Sequence, residues 1–393
     1  MRRVKITALR PGMRLGSPVY SSRGLLLKEG VQLAPGHIER LRQARVEAVY
    51  IDDPLFSDVE LPPDISWSVK GALLQAFATI WAAGVQAAGG QAGGGQAGGG
   101  QAGAGQAVVW RVPYQQFLDV ASALEDELRG TPAWAVQPVT EESEEDAPVA
   151  HAVNVALLAA AVARQASLGG YVRELALGGL FHDLGLALLP AALQSEPDLL
   201  SAPNSPASHP AAPPSASSSA GMSADDVRLL QAHPLLGVKL LRGQPASAFV
   251  QAAVAQHHER FDGSGYPQKL SGSRLSDHAQ LVAIADNFDR LGRQAGLGRS
   301  EAWEYVVSGG GSEFDLRLVR AFAQVIPPFP LGSTVQLNTG ETGVVVGLEA
   351  GLLTRPKVRL LRDTSGETMQ RQITYDLAQS AHRNRVIVGE GQE

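Results

Sequence analysis

Seven side chains of metal-ligand type fall in or beside the most apolar helical stretches of this chain. Five are histidines, His151, His182, His233, His257 and His258, and two are aspartates, Asp183 and Asp286. An imidazole or carboxylate buried without a partner is costly, so a fold that accepts these stretches as its core must gather the seven around something they share. The apolar run Leu175 to Phe181 leads into His182-Asp183, and His151 stands at the start of Ala150 to Gln165. His233 opens the segment Ala232 to Gly237, His257-His258 closes a helix predicted from Ala246 to Gln256, and Asp286 ends the run Leu281 to Ala285. The 31 positions from His151 to His182 leave room for two antiparallel helices and a turn, so the two histidines can meet in a bundle core.

The chain has no cysteine, which excludes disulfides, thiolate sites and cysteine nucleophiles. Imidazole and carboxylate are then the available ligands, and they suit Mn, Fe, Zn or Ni. Seven such groups are too many for one ion and enough for two that share a bridging carboxylate. The adjacent pair His182-Asp183 lets one side chain hold an ion while the next reaches a second. Each member has a plainer explanation when taken alone. A lone histidine is usually a satisfied core or surface residue, a His-His pair at a helix end can act as a cap, and Asp286 can be a helix-end residue. The joint pattern outweighs these. His37, His209, His278 and His382 lie in polar or low-complexity surroundings and are left out. Four residues after His258 comes Asp262-Gly263-Ser264-Gly265-Tyr266-Pro267, a glycine-rich turn placed to form part of the same pocket wall.

With 393 residues the chain is long enough for two or three domains, and 44% hydrophobic residues allow a sizeable core. A net charge of −6 and a pI near 5.9 speak against a general nucleic-acid binder. Residues 1–60 read as a small β-rich module: a strand from Val4 to Leu9, a hairpin of Val19-Tyr20 and Leu25–Leu27, a helix over 35–45 and a closing strand over 47–51. Residues 61–146 read as a helical connector, with helices over 66–87 and 113–128 and a Gly/Gln-rich linker at 88–107. Gly71 to Ala88 carries no charge, but Gln75, Thr79 and Gln86 make it an amphipathic soluble helix rather than a membrane span. No apolar segment marks a signal peptide, so a cytoplasmic protein is expected. Residues 147–326 are mostly helical, interrupted by a Ser/Pro/Ala-rich insertion at 201–221 that reads as disordered. The tail, 327–393, turns to β-branched runs at 331–337, 343–348 and 357–361 and suggests a small β barrel.

Several of these motifs together resemble the HD-GYP domain family. They are His-Asp at 182–183, His-Pro at 233–234, His-His-Glu at 257–259, Asp-Gly-Ser-Gly-Tyr-Pro at 262–267 and Ala-Asp-Asn-Phe-Asp at 285–289. Gly311 to Asp315 also looks like the start of the family's final helix, and the first 55 residues look like a module often fused to this domain. The likeness covers about residues 150–324, and the insertion accounts for the long gap between His182 and His233. It implies a multidomain α+β protein with a central all-α HD-type bundle between small β-rich N- and C-terminal domains. It also implies a phosphodiesterase that hydrolyses cyclic di-GMP to linear pGpG, GMP or both. Two divalent ions, iron or manganese, would serve as cofactors. His151, His182 and Asp286 would hold one ion, His233, His257 and His258 the other, and Asp183 would bridge them. A bridging hydroxide would attack phosphorus in line, with His182 and Asp183 at the catalytic centre. Gly263, Gly265, Tyr266 and Pro267, with Arg290 and Arg293, would contact substrate. Signalling proteins such as diguanylate cyclase domains would be partners; a nucleic-acid polymer or a membrane would not.

Three departures from the family pattern stand out. The lysine usual after His-Asp-x-Gly is Leu186, the glutamate one turn before the first histidine of trimetal members is Ala147, and the usual Pro-Tyr-Arg segment after Asp286 is missing. Ala147 favours two ions over three. The other two losses remove cations near phosphate, and Arg290, Arg293 or Arg299 are the candidate replacements. They keep open a catalytically weakened cyclic di-GMP receptor or protein-interaction module. An HD phosphohydrolase acting on another nucleotide is a further alternative, against which the intact Gly-Tyr-Pro turn speaks.

Overall fold

The computed structural model describes residues 1–92, 112–140, 145–194, 222–293, 297–369 and 371–391. The insertion expected at 201–221 and nearly all of the expected linker lie outside the described residues. So do 141–144 of the acidic run.

The first unit has four short strands and one helix. They are β1 (Arg2–Lys5), β2 (Val19–Ser21), β3 (Gly24–Leu27), α1 (Pro35–Gln43) and β4 (Ala48–Ile51). β1 pairs antiparallel with β4, and β2 with β3, around a core that includes Val4, Leu15, Leu41 and Val49. The strand expected from Val4 to Leu9 is shorter and earlier, because Ile6–Ala8 form a 3-10 turn.

Next come α2 (Trp67–Ala92) and α3 (Tyr114–Gly130), then α4 (Ala147–Ala163) and α5 (Val172–Phe181). A 3-10 turn at Leu184–Leu188 is followed by the short α6 (Ala191–Gln194), α7 (Ala224–Gln231), α8 (His233–Leu240) and α9 (Ala248–Gln256). The bundle is completed by α10 (Asp277–Arg293), α11 (Arg299–Ser308) and α12 (Leu316–Val325). One apolar cluster runs through it, from Phe77 and Phe117 through the fully buried α4 to Phe181, Ile284 and Phe322. The small residues of α4, mostly alanine and valine, let α5 and α10 pack directly against it. α2 is long and apolar enough to cross a membrane, yet Leu73, Phe77 and Ile80 bury one of its faces in the bundle core.

The tail forms one antiparallel sheet of five strands: β5 (Thr334–Leu337), β6 (Thr342–Gly347), β7 (Lys357–Arg362), β8 (Thr374–Asp376) and β9 (Ile387–Glu390), in the order β8-β7-β6-β5-β9. Instead of a ladder closing β8 onto β9, Arg355 donates to the carbonyls of Leu377, His382 and Arg385 and ties the two edges together. This sheet rests on the first unit. Phe56 and Val59 join its core, the Arg3 amide donates to Gly332 O at 2.9 Å, and Arg359 pairs in two-pronged fashion with Asp58 at 2.6 and 2.7 Å.

Candidate metal centre

Helix ends explain how the imidazoles are aimed. The last carbonyls of a helix lack an intrahelical partner. At three helix ends an imidazole supplies one. His182 Nδ1 lies 2.6 Å from Gly179 O, His233 Nδ1 2.7 Å from Leu230 O, and His257 Nδ1 2.9 Å from Val254 O. Each Nδ1–H donates to the carbonyl three residues back, which turns each Nε2 away from the helix. The three Nε2 atoms converge on Asp183, whose Oδ2 is 3.2 Å from His182 and whose Oδ1 is 3.2 Å from His233 and 3.4 Å from His257.

His151 enters from α4. Its Nε2 lies 3.0 Å from Asp286 Oδ1 and 4.0 Å from Asp183 Oδ2. His258 stacks on the Tyr266 ring, with centroids 4.6 Å apart. Two groups result, His151–His182–Asp286 and Asp183–His233–His257–His258, each made of buried residues with their ligand atoms within 4.8 Å of one another.

This donor set fits divalent metal. His233 Nε2 and His257 Nε2 face each other at 3.2 Å although both rings already spend their Nδ1–H on carbonyls, so two lone pairs point at one spot. Buried oxygens Asp183 Oδ1 and Asp286 Oδ2 also lack a hydrogen-bond partner. A cation resolves both problems at once.

Without metal, a proton does part of this work. Burial disfavours the charged form of His182, but the Asp183 charge outweighs it and pushes the ring up to about 9. His257 goes the other way, down to about 3, through burial and the neighbouring His258. At pH 7.5, below the His182 value, the metal-free protein therefore carries a proton that metal must displace. Metal titration by calorimetry in two buffers of different ionisation heat should show release of about one proton at pH 7.5. The release should fade as pH rises through about 9. Buffer-independent heats at pH 7.5 would contradict this.

The sequence singles out Asp286 but not Asp289, one turn further along α10. Asp289 Oδ2 lies 2.7 Å from His151 Nδ1, Asn154 Nδ2 donates to its Oδ1 at 2.9 Å, and Arg293 Nε donates to its Oδ2 at 2.8 Å. Burial opposes the charge of Asp289, but Arg293 and His151 hold its carboxyl below the usual range. Asp289 thus fixes the His151 tautomer that presents Nε2 to Asp286. The i,i+3 spacing of two carboxylates on a predicted helix was the available signal. An Asp289→Asn protein is expected to bind metal roughly 10–100-fold more weakly; unchanged affinity by metal-buffer titration would remove Asp289 from this role.

Of the two arginines expected at substrate, Arg290 touches the ligands themselves, at 2.7 Å from Asp286 Oδ1 and 3.4 Å from Asp183 Oδ2. Arg293 stands one step behind, on Asp289. Arg299 lies elsewhere, over the Phe288 ring and donating to Pro327 O. The glycine-rich turn is braced from below. Glu259 accepts the amides of Gln268 at 2.6 Å and Leu270 at 2.9 Å. Gly265 lies so close to the chain at 258–260 that a Cβ would fall 2.4 Å from His258 O. Gly263 sits at the bend with φ +85°, and Tyr266-Pro267 is a cis peptide.

The bundle thus buries five imidazoles and two carboxylates in two groups that could each hold a metal ion. The comparisons agree in kind. The HD domain model matches residues 211–318, and a KOW domain associated with HD domain matches 334–388. The first match begins after His182-Asp183 and takes in His233, His257, His258, the Gly-Tyr-Pro turn and Asp286. The chain is 26% identical to a cyclic di-GMP phosphodiesterase of Pseudomonas aeruginosa, over 98% of this chain and 91% of that one. It is 31% identical to a cyclic di-GMP phosphodiesterase response regulator of Xanthomonas campestris, over 38% of this chain and 35% of that one. An HDG"Y"P protein from Bdellovibrio bacteriovorus superposes with a TM-score of 0.42 and 17% identity, over 81% of this chain and 97% of that one. The chain thus carries a stretch that matches the HD domain, and over nearly its whole length it is similar to a cyclic di-GMP phosphodiesterase.

Proposed function

We propose that this chain is a metal-dependent phosphodiesterase that hydrolyses cyclic di-GMP to linear pGpG, GMP or both, working in the cytoplasm. The observation that carries the reading is the convergence of three outward-turned imidazole Nε2 atoms on Asp183, beside a second group built from His151, His182 and Asp286. The choice of substrate rests on the activity named for the Pseudomonas relative, whose likeness runs through nearly the whole chain.

His151, His182 and Asp286 would hold one ion and His233, His257 and His258 the second, with Asp183 shared and iron or manganese as the metal. When bound, such ions polarise a phosphate and lower the pKa of water for in-line attack. The chain's own residues do the rest. The Nδ1–H bonds to helix-end carbonyls keep the imidazoles aimed. Glu259 holds the Gly-Tyr-Pro turn, with Tyr266 against His258 as one wall of the site. Arg290, set against Asp286 and Asp183, would offer a cation to the scissile phosphate.

Arg290 takes over a task that position 186 does not perform. Leu186 is 2% exposed and packs in the main apolar cluster. An Arg290→Gln protein should keep its metal and lose roughly 10–100-fold in kcat/KM, the worth of about 1–3 kcal/mol for a charged hydrogen bond. Wild-type kinetics in this variant would exclude Arg290 from phosphate binding.

The deciding experiment incubates metal-quantified protein with cyclic di-GMP under Mn(II) and under anaerobic Fe(II), with chromatographic separation of products. Metal-dependent pGpG or GMP supports the enzyme. Saturable nucleotide binding with two ions bound and no product supports instead a receptor, the reading that the buried Leu186 favours.

A further inference from the structure

A second cavity of about 320 Å³ lies where the first unit, the connector and the start of the C-terminal sheet meet. Its volume is at the lower end of small-molecule sites, which favour domain junctions. Trp67 forms an aromatic wall, stacked on Tyr20 with centroids 4.6 Å apart and planes 9° from parallel. Trp134 and Val139 add apolar surface. Among the described residues that line the cavity, the one cation is the 5%-exposed Lys70. Its ammonium donates to Asp64 Oδ2 at 2.5 Å and to Gln137 O at 2.8 Å, which uses two of its three protons. Burial draws the Lys70 pKa down, and Asp64 counters that.

These features select a ligand. Lys70 and Asp64 already cancel in charge, so an anionic ligand would bring an uncompensated charge into a mostly apolar space. A neutral molecule costs nothing of that kind, and one acceptor atom would take the remaining Lys70 proton. A flat aromatic wall favours a flat ring system.

The cavity is also wired to the metal centre. Val139, part of its lining, is gripped by Asn154 on α4: its N–H donates to Oδ1 at 2.7 Å and its C=O accepts from Nδ2 at 3.0 Å. The same Nδ2 donates to Asp289, and Asp289 orients His151. Three links thus run from the cavity wall to a candidate metal ligand, all buried. Across the next residue, Thr140 is held by the first unit, donating to Tyr20 O at 3.0 Å and accepting from the Ser22 amide at 2.8 Å.

We propose that this cavity is an effector site for a neutral, planar ligand of one or two rings bearing one hydrogen-bond acceptor, and that its occupancy is coupled to metal binding at His151 through Val139, Asn154 and Asp289. Its ligand-binding half stands apart from the phosphodiesterase reading, while the coupling rests on the metal assignment. Coupling between two sites is reciprocal, so ligand and metal must change each other's affinity by one factor.

The probe is coumarin, with 1-naphthoate as the anionic comparator, titrated by calorimetry into the full chain, metal-free and loaded with Mn(II). Coumarin should bind saturably and more tightly than 1-naphthoate, with a Kd that differs at least about fivefold between the two forms. Ala48→Trp, which fills the cavity from β4, and Trp67→Leu, which removes the wall, should each weaken coumarin at least tenfold, a threshold of about 1.4 kcal/mol. Melting curves identify which of the two variants retains its fold, and that one carries the test. Asn154→Ser should keep coumarin binding and erase the difference made by Mn(II). Failure to bind coumarin, equal binding in the folded variants, or a preference for 1-naphthoate overturns the site. Equal Kd values with and without Mn(II) overturn the coupling. Absence of Mn(II) uptake overturns the metal reading and the coupling together, whereas coumarin binding by the metal-free protein supports the cavity regardless.

Discussion

An Asp183→Ala protein is expected to fold, to lose most of its bound metal, and to hydrolyse cyclic di-GMP about 100–1,000-fold more slowly, the range seen when transition-state charge loses its electrostatic support. The Asp183 carboxylate lies within 3.4 Å of the Nε2 atoms of His182, His233 and His257. Its removal leaves the imidazoles of His233 and His257 facing one another with no carboxylate between them to share with a metal. Folding should survive, because the rings remain tied to helix-end carbonyls and a buried carboxylate that burial itself disfavours is gone. Elemental analysis after gel filtration, beside the product assay, checks both halves. Retention of two ions per chain with activity intact would rule out a shared Asp183.

The second large effect is expected from a residue that binds nothing. A Cβ at Gly185 would sit 2.0 Å from His233 O and 2.8 Å from Gly237 N. Both are backbone atoms of α8, so no side-chain rotation relieves the clash. In Gly185→Ala, α8 must retreat from the 3-10 turn that follows His182-Asp183, carrying His233 away from Asp183. Overpacking of this kind costs typically 1–3 kcal/mol. The group around His233 should lose its ion first, so we expect about half the wild-type metal content, a melting temperature lower by several degrees and hydrolysis below detection. Full metal loading with wild-type kinetics would show that α8 can shift without consequence. Gly185 is therefore the packing reason for the glycine in His-Asp-x-Gly at this site.

Much of the bundle was legible in the sequence because its signals are local. Apolar runs over 150–165, 175–181 and 281–285 appear as α4, α5 and α10, and the turn residues between 21 and 24 as the hairpin of β2 and β3. Local signals also mislead at element ends. The β1 prediction ran into Ile6–Ala8, where the chain bends into a 3-10 turn before Leu9. β8 and β9 escaped notice because each is short and half-exposed, and β9 also pairs with the distant β5.

The candidate site divides along the same line. Residue type alone marked His151, His182, Asp183, His233, His257, His258 and Asp286, since polar groups in apolar helices demand a common partner. Sequence by itself also determined that no thiolate takes part and that the Leu186 position offers no cation. Only the tertiary structure decided which nitrogen each imidazole presents, because that depends on which helix-end carbonyl takes the other. It alone set Asp289 and Asn154 behind His151, and Glu259 beneath the Gly-Tyr-Pro turn. It alone joined Trp67, Lys70 and Val139 around a cavity. Hydrogen bonds act over about 3 Å, and the one that joins His151 to Asp289 spans 138 positions; a linear pattern carries no record of such approaches until the chain has packed.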